Sequence, residues 1–497
     1  MVKLIAISGV AGSRKTQTSI ELAEEMKDYE WVAFTFTNEM ANSLMKRTNI
    51  KSMTFHSMCY RLIKPQESIL EEWMLRQFYS KFGLRYIPMK LLDNPLDLPE
   101  GNRIHFIRRA LLNTFIKEIR DVKANSVLEE IIKRKRQIWL PYSEERILKI
   151  IVEYENWKEK NMLIDFDDLL LRVIEEKPYP WFNAVVWDEN QDASPLQIKA
   201  FLTIAKHIEI SIHNGDPAQT IYDDLLFSNP KYFLKIFDIA KKKIFLKYTY
   251  RIPKNIVPVV NRWFRRIKNR NIEAVYSKKE GGIVKKTNIT QLFRFLKSMI
   301  KMPNIDFEFK GHEKRKFPAI ITYSNSQIRR ISEELIFSGI PYKVRAGLSH
   351  PDWTIDMLGF RNFLWYYKNK IFNQRFYFYL KYLSKFNPTV YTKIYSVIHT
   401  LKFFTSEKLN LSWEGILNTS TLSFRKKQMV KNSVEKIPFE ITNMVFLTTI
   451  HSAKGLTFDV VIPYDVPPSQ VFENKDFMYR LKYVMYSRVS NALIVPL

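Results

Sequence analysis

Short apolar runs that end in glycine or polar residues recur along the chain and predict buried strands. Residues 4–8, 184–187 and 208–212 are runs of this kind, and a helical stretch at 18–26 follows the first. Apolar runs of four to eight residues that alternate with helical segments are typical of the parallel sheets of α/β proteins. The pattern therefore predicts an α/β fold in which helices cover both faces of a parallel sheet.

Other parts of the chain repeat their apolar residues at helical spacing. Residues 73–82, 131–139 and 145–160 show this period and predict a mainly helical segment between the first two strand runs. A later stretch at 360–383 interleaves aromatic residues with Lys and Arg. It predicts an amphipathic pair of core helices, with a nucleic-acid-binding face as the alternative.

The composition is that of a folded protein with a large excess of positive charge. Of the 497 residues, 46% are apolar, and the formal net charge is +27. This charge favours a polyanionic partner, most often nucleic acid, although a general richness in lysine would give the same excess. No uncharged apolar stretch reaches 18 residues, so we expect no membrane span. A single cysteine, Cys59, and an opening segment that reads as a strand rather than a secretory leader indicate a cytoplasmic protein.

The first predicted strand leads into a glycine-containing turn, a Lys-Thr pair and a helix, which is typical of a phosphate-binding loop. Lys15 would hold the β- and γ-phosphates of a nucleotide, and Thr16 would bind Mg²⁺. Arg14 stands where the last glycine of such a loop normally lies, and a left-handed backbone there would cost about 1–2 kcal/mol. A plain strand–helix turn is the alternative. The candidate ATP-binding residues of the loop are Gly9, Val10, Ala11, Gly12, Ser13, Arg14, Lys15, Thr16 and Gln17.

Two later strands end in polar residues that could complete this site. Asp188 and Glu189 follow the run at 184–187, at the end of a parallel strand, where open α/β sheets bind their ligands. Asp188 is a candidate ligand of Mg²⁺, and Glu189 is a candidate to orient or deprotonate an attacking water. Gln219 follows the next strand and a Gly-Asp-Pro turn, where it could sense the γ-phosphate. A solvated acidic turn is the alternative for the two acids.

Ten segments in a fixed order resemble the motifs of the UvrD/Rep/PcrA-like DNA helicases of superfamily 1. The first is the phosphate loop, SGVAGSRKT, and the last is LKYVMYSRVSNALIV at 481–495. The others are FTFTNEMANSLMKR (34–47), SMTFHSM (52–58), LIDFDDLL (163–170), WDENQDASPLQ (187–197), GDPAQTIY (215–222), YTYRIPKNI (248–256), the segment 320–344 and LTTIHSAKGLTFDVV (447–461). The order carries the resemblance, because any one segment could match by chance.

The resemblance implies two RecA-like P-loop domains that bind ATP and Mg²⁺ between them. Arg251 and Arg488, from the second half of the chain, would supply the arginines that stabilise transition-state charge, and Tyr250 would stack on adenine. The implied catalytic residues are Lys15, Asp188, Glu189, Gln219, Arg251 and Arg488, with Thr16 and Asp188 as metal ligands. The implied DNA-binding residues are Phe36, Thr37, Asn38, Thr54, His56, Tyr222, Thr449 and His451.

The resemblance also implies a division of the chain into four parts. RecA-like domain 1A, which binds ATP, would comprise residues 1–65 and 181–235, with a helical insertion 1B at 66–180. RecA-like domain 2A would comprise residues 236–350 and 440–497, with a reduced helical insertion 2B at 351–439.

Besides Arg14, three features depart from the family pattern. No glutamine precedes the phosphate loop to read adenine, residues 223–226 replace a segment that carries Arg and an aromatic residue, and Thr457 stands where Glu is usual. These departures put adenine specificity and one contact between the ATP and DNA sites in question. The positions that act on phosphate are all present.

The implied function is an ATP-dependent DNA helicase or translocase that moves 3′ to 5′ on single-stranded DNA and separates strands at duplex junctions. Replication or repair proteins would be its partners, in the nucleoid or, for a viral source, in the host cytoplasm. Two alternatives stay open. One is a nucleic-acid-binding protein that keeps the fold without ATP turnover, and the other is an RNA-directed translocase, because contacts to phosphates do not report the sugar.

Overall fold

The computed structural model describes residues 3–88, 98–113, 141–222, 227–301, 318–344, 355–401, 411–436, 445–464 and 475–496. The chain forms two compact units, and each is described by itself. The first unit contains Met1–Ile283 and Val466–Asn491, and the second contains Val284–Asp465 and Ala492–Leu497.

The described strands and helices alternate along much of the chain. The strands are β1 (Lys3–Gly9), β2 (Trp31–Thr35), β3 (Lys51–Thr54), β4 (Ser68–Ile69), β5 (Leu163–Ile164), β6 (Ala184–Trp187), β7 (Ile210–Gly215), β8 (Lys242–Leu246), β9 (Tyr248–Pro253), β10 (Tyr276–Lys279), β11 (Ile283–Thr287), β12 (Ala319–Thr322), β13 (Tyr342–Val344), β14 (Val445–Thr449), β15 (Phe458–Pro463) and β16 (Val489–Pro496). The helices are α1 (Lys15–Glu25), α2 (Asn38–Met45), α3 (Phe55–Ile63), α4 (Glu72–Ser80), α5 (Glu100–Asn113), α6 (Glu144–Lys160), α7 (Phe166–Glu176), α8 (Pro195–Ile204), α9 (Pro230–Ile239), α10 (Val257–Phe264), α11 (Ile289–Lys301), α12 (Asn325–Phe337), α13 (Ile355–Lys368), α14 (Gln374–Phe386), α15 (Pro388–Leu401), α16 (Trp413–Asn418), α17 (Phe424–Lys436), α18 (Ile450–Ala453) and α19 (Lys475–Tyr486).

The first unit is built on a parallel sheet with the strand order β3-β2-β6-β7-β1-β8. Both faces of this sheet are buried, because successive residues of one strand enter different cores. Phe34 and Val185 belong to one core, whereas Ala33 and Val186 belong to the other. The predicted parallel sheet with helices on both faces is therefore confirmed.

Local sequence explains how several helices begin. Pro195 is the first residue of α8, and the preceding Ser194 accepts the N–H of Gln197, whose side chain accepts the N–H of Ser194. This capping box satisfies two N–H groups that a helix otherwise leaves unpaired. No side chain caps α1 in this way. The first N–H groups of α1 are therefore left facing the loop that follows β1.

A buried cluster of charged side chains joins α5 and α6 to the start of α7. Arg108 is 1% exposed and contacts the carboxylates of Asp165, Asp167 and Asp168. Lys158 Nζ lies 3.0 Å from Asp165 and 2.6 Å from Asp168. Burial alone would raise the pKa of Asp165, but Arg108 and Lys158 hold it well below its usual range. The segment LIDFDDLL thus anchors the helices of the first unit's helical part.

The second unit combines a sheet with a helical core. Its strand order is β11-β16-β15-β12-β14-β13, and β12 pairs in parallel with β14 and β15. Helices α13 to α17 share a separate core that includes Phe360, Phe363, Phe376, Leu383 and Trp413. The stretch at 360–383 therefore forms two core helices, α13 and α14, as the sequence predicts.

The compact units differ from the predicted domain boundaries in one respect. Residues 236–283 and 466–491, predicted to lie in domain 2A, group with the first unit. One reason is that β8 pairs with β1 as the sixth strand of the first sheet. A second is that α19 packs on α10, where the Phe264 and Tyr483 rings lie 4.9 Å apart. The predicted helical run at 131–139 and the divergent segment at 223–226 lie outside the described residues.

We predict that Arg108→Ala lowers the free energy of unfolding by about 3–5 kcal/mol, because buried carboxylates then lack their partner. Urea-induced unfolding would measure the loss. The matched control is Arg76→Ala on the exposed face of α4, for which we expect a change within about 0.5 kcal/mol. Equal, small losses in the two variants would contradict the prediction.

Candidate nucleotide-binding site

The loop between β1 and α1 folds back on its own backbone. The N–H of Ser13 donates to the carbonyl of Val10 at 3.1 Å, and Lys15 Nζ lies 3.5 Å from the same carbonyl. Gly12 has a φ of +71°, and a Cβ there would lie 2.5 Å from the Cβ of Arg251. Only glycine fits at this point. The glycine allows the loop to turn back on itself so that the lysine lies close to the loop backbone, as a phosphate-binding loop requires.

Arg14 has the left-handed backbone that its position in the loop requires, with φ 67° and ψ 31°. Its carbonyl accepts the N–H of Thr18 at 2.9 Å, and its guanidinium lies 3.9 Å from the centroid of the Tyr250 ring. An exposed cation–π contact contributes about 0.5–1 kcal/mol, which offsets part of the cost of about 1–2 kcal/mol for a left-handed arginine. The loop therefore keeps its shape without the usual glycine. One face of Tyr250, the residue predicted to stack on adenine, is covered by this contact.

Thr16 and Asp188, the predicted metal ligands, lie side by side. Thr16 Oγ1 is 3.0 Å from each carboxylate oxygen of Asp188. Burial, together with the neighbouring Glu189, raises the pKa of Asp188 to about 6. A hydroxyl beside two carboxylates is a set of hard oxygen donors of the kind that Mg²⁺ prefers.

Glu189 is held in place by two residues that the sequence analysis did not single out. Its φ is +53°, so its side chain leaves the end of β6 at an unusual angle. Gln191 Nε2 donates to Glu189 Oε2 at 2.6 Å, and the N–H of Glu189 donates to Asn214 Oδ1 at 3.3 Å. Asn214 in turn donates to Ser19 Oγ of α1 at 2.7 Å. Gln191 thus orients the carboxylate, whereas Asn214 of β7, itself bonded to α1, holds the backbone of Glu189.

A continuous chain of buried hydrogen bonds links the phosphate loop to the C-terminal helix α19. The N–H of Ala11 donates to the hydroxyl of Tyr483 at 2.9 Å, and this hydroxyl donates to Asp216 Oδ2 at 3.1 Å. Gln219 Nε2 donates to the same Asp216 oxygen at 2.6 Å, and Arg488 Nη2 donates to Gln219 Oε1 at 2.6 Å. We call these five residues the buried relay.

Two arginines predicted to act on phosphate lie close enough to repel each other. Burial and the neighbouring Arg488 lower the pKa of Arg251 to about 9. Burial likewise lowers the pKa of Arg488, although Glu189 and Asp216 oppose this change. Arg251 remains cationic at pH 7, so an anionic group beside it would be stabilised.

These residues fit a nucleoside triphosphate with Mg²⁺. Ser13 Oγ is buried in the middle of the loop without a hydrogen-bond partner, which leaves a polar group available to a ligand. The site combines the cationic side chains of Lys15, Arg251 and Arg488 with the acidic pair Asp188 and Glu189. Phosphate oxygens suit the first group, and a divalent cation suits the second.

Comparison with known proteins shows which proteins the chain is similar to. Residues 3–235 match the UvrD/REP helicase N-terminal domain. The chain is 26% identical to DNA helicase II of Haemophilus influenzae over 378 residues, which is 68% of this chain and 49% of that protein. It is 24% identical to the ATP-dependent DNA helicase PcrA of Bacillus subtilis over 388 residues, 70% of this chain and 49% of the relative. Residues 3–235 are thus similar to the UvrD/REP helicase N-terminal domain. It spans about half the length of the curated relatives it matches.

Most of the site residues implied by the helicase resemblance lie in the first unit. Three of them do not take part in the contacts described above. Gln17, a candidate ATP ligand, is exposed, and its Nε2 donates to Glu21 on the outside of α1 at 2.9 Å. Thr449 and His451 belong to the second unit, where Thr449 caps α18 by accepting the N–H of Ser452. None of the helices in the described ranges is long and apolar enough to cross a membrane.

Most candidate DNA-binding residues of the first unit follow strands β2 and β3, and Tyr222 follows β7. Phe36 stacks on Tyr222 with ring centroids 4.8 Å apart, and Thr37 caps α2 and leaves Asn38 exposed. Thr54 caps α3 by accepting the N–H of Ser57. The candidate DNA-binding residues that lie in the first unit are Phe36, Thr37, Asn38, Thr54, His56 and Tyr222.

The sequence analysis did not identify an exposed aromatic residue that lies beside these candidate positions. Phe166, 54% exposed, lies 5.2 Å from the ring of His56. Burial lowers the pKa of His56 to about 4, so this imidazole is neutral at pH 7. The signal was present in LIDFDDLL, where a phenylalanine interrupts an acidic run. Its exposure, however, depends on the fold of the charged cluster around Asp165 and Asp167.

We predict that Tyr483→Phe lowers both the ATP turnover expected of this site and the stability of the protein. The change leaves the N–H of Ala11 without its acceptor, which costs about 1–3 kcal/mol of unfolding free energy. We expect ATP turnover to fall by about tenfold, because Gln219 and Arg488 lose their alignment with the loop. The control is Tyr486→Phe, on the same helix. Normal turnover in Tyr483→Phe would mean that the buried relay does not position the catalytic groups.

Proposed function

We propose that the chain is an ATP-dependent DNA helicase or translocase that couples hydrolysis to movement along single-stranded DNA. The observation that carries this proposal is the buried relay, because it joins the phosphate loop to Gln219 and to an arginine from the far end of the chain. The similarity to DNA helicase II and PcrA, both named as DNA helicases, supports DNA as the substrate.

In this proposal the phosphate loop and three cations bind the nucleotide. Lys15 and the N–H groups at the start of α1 hold the β- and γ-phosphates. Arg251 and Arg488 face the charge that develops on the transferred phosphoryl group, a role worth about 10³–10⁵ in rate in comparable enzymes. Tyr250 supplies a stacking face for the base.

Glu189 is placed to orient the attacking water and to accept its proton. Gln191 and Asn214 fix its carboxylate and backbone, so the general base does not need to reorganise during the reaction. Thr16 and Asp188 would hold Mg²⁺, which would neutralise charge on the phosphate oxygens.

Coupling to DNA follows from the short distance along the chain between the γ-phosphate sensor and the DNA-binding residues. Gln219 is bonded to Asp216 and Arg488, and Tyr222 lies three residues later in the stack with Phe36. Loss of the γ-phosphate would change the contacts of Gln219 and thereby shift Tyr222. Each base that stacks on such a ring contributes about 1–3 kcal/mol of binding free energy. A shift of Tyr222 would therefore change the affinity for the strand.

We predict that single-stranded DNA stimulates ATP hydrolysis and that Lys15→Ala abolishes it. Arg488→Ala should lower kcat by about 10³-fold while leaving DNA binding in place. Phosphate release with and without oligo-dT would measure both effects. Lys27→Ala and Arg47→Ala, two exposed cations of the same unit, are the controls. DNA-stimulated turnover that survives in Lys15→Ala would overturn the proposal.

We predict movement in the 3′ to 5′ direction, as the family resemblance implies. A partial duplex with a 3′ single-stranded tail should be unwound in the presence of ATP, whereas one with a 5′ tail should not. Strand release would be followed by fluorescence of a labelled strand. The same substrates with RNA tails separate a DNA-directed motor from an RNA-directed one. Preferential unwinding of the 5′-tailed duplex would contradict the predicted polarity.

A further inference from the structure

The exposed face of the two-stranded sheet β9–β10 carries a row of tyrosines. Tyr248 and Tyr276 pair across the strands, with ring centroids 5.8 Å apart. Tyr250 lies two residues beyond Tyr248, on the same face. The three side chains are 47%, 45% and 45% exposed for Tyr248, Tyr250 and Tyr276. Exposure of three neighbouring aromatic residues is unusual for a surface without a ligand.

Cations accompany these rings. Lys278 Nζ lies 4.4 Å from the centroid of Tyr248, and the guanidinium of Arg14 lies 3.9 Å from that of Tyr250. We call Tyr248, Tyr276 and Lys278 the tyrosine ladder, and treat Tyr250 with Arg14 as its end at the phosphate loop. Rings and cations thus alternate over one continuous face.

The segment that contains the ladder is the source of much of the positive charge of the chain. Residues 241–283 hold 13 Lys and Arg against 2 Asp and Glu. One of the two acids, Glu280, is already paired with Lys254. Lys241, Lys242, Lys243 and Lys247, which precede the ladder, are all exposed. The local field therefore attracts a polyanion.

We propose that the tyrosine ladder is a second binding surface for single-stranded nucleic acid. Bases stack on exposed aromatic rings whatever their sequence, while cations beside the rings contact the phosphates. Alternate residues of a strand are roughly 7 Å apart, so successive rings on one face can receive separate bases. This surface is formed by β9 and β10, whereas the DNA-binding residues predicted from the sequence follow β2, β3 and β7 or lie at the end of β14.

A protein partner fits these observations less well. Tyrosine is common in protein interfaces, but lysine is depleted there, and the ladder is surrounded by lysines. A purely solvated basic surface would explain the lysines but not three half-exposed rings. Nucleic acid accounts for both kinds of side chain.

Photo-crosslinking tests the proposal directly. An oligo-dT of about 30 nucleotides that contains 5-iodouracil is bound to the full chain without ATP, irradiated, and the modified peptides are identified by mass spectrometry. We expect modification of Tyr248 or Tyr276. The variant Tyr248→Ala/Tyr276→Ala should lose these crosslinks and bind the oligomer about 5-fold or more weakly.

Two further variants complete the test. Lys278→Gln should reduce the slope of log affinity against log salt by about 0.7, the value for one phosphate contact to a single strand. The control is Tyr179→Ala, which removes a tyrosine that is 75% exposed on another part of the unit and should change neither measurement. ATP hydrolysis without DNA should be unchanged in all of these variants. A loss of DNA binding at the ladder can therefore be told apart from a loss of ATP hydrolysis. Crosslinks confined to other peptides, with affinity and salt slope unchanged in the ladder variants, would overturn the proposal and leave a protein as the partner of this face.

Discussion

The hydrogen bond between the N–H of Ala11 and the hydroxyl of Tyr483 is the contact on which the rest of the site depends. It joins residues that are 472 positions apart and places α19 against the phosphate loop. Because every member of the buried relay is buried, each bond is strong, and an incomplete relay would leave costly unpaired groups. The position of Arg488 therefore depends on the position of the loop. A displacement of Ala11 would shift Arg488, and a displacement of Arg488 would shift Ala11.

The loop itself shows how a departure from a pattern can be accommodated. An arginine with a left-handed backbone replaces a glycine, and the side chain that causes the strain also supplies a contact with Tyr250 that offsets part of it. The same contact joins the loop to β9, which also carries Tyr248 of the tyrosine ladder. The substitution at Arg14 thus preserves the cradle and extends an aromatic surface away from it.

The sequence predicted the features that depend on residue type and spacing. β1 and β6 coincide with predicted apolar runs, and the candidate acids Asp188 and Glu189 follow β6. It did not predict contacts that depend on tertiary pairing. Tyr483 is one tyrosine among 25, and only its place opposite Ala11 distinguishes it. Likewise, β8 looks like any short apolar strand until β1 pairs with it, which is why the predicted boundary at residue 235 differs from the compact units.

The electrostatics of the site explain why nucleotide and metal ion would bind together. Burial shifts each charged group toward its neutral form: the pKa of Asp188 rises to about 6, and that of Arg251 falls to about 9. A phosphate group beside the arginines favours their charged form, and a divalent cation beside Asp188 favours the carboxylate. Either ligand alone would add one sign of charge to a buried site, whereas the pair adds both with little net change. The unfavourable free energy of burying these charged side chains is therefore offset when nucleotide and metal bind together. The site should bind that complex more tightly than either component alone.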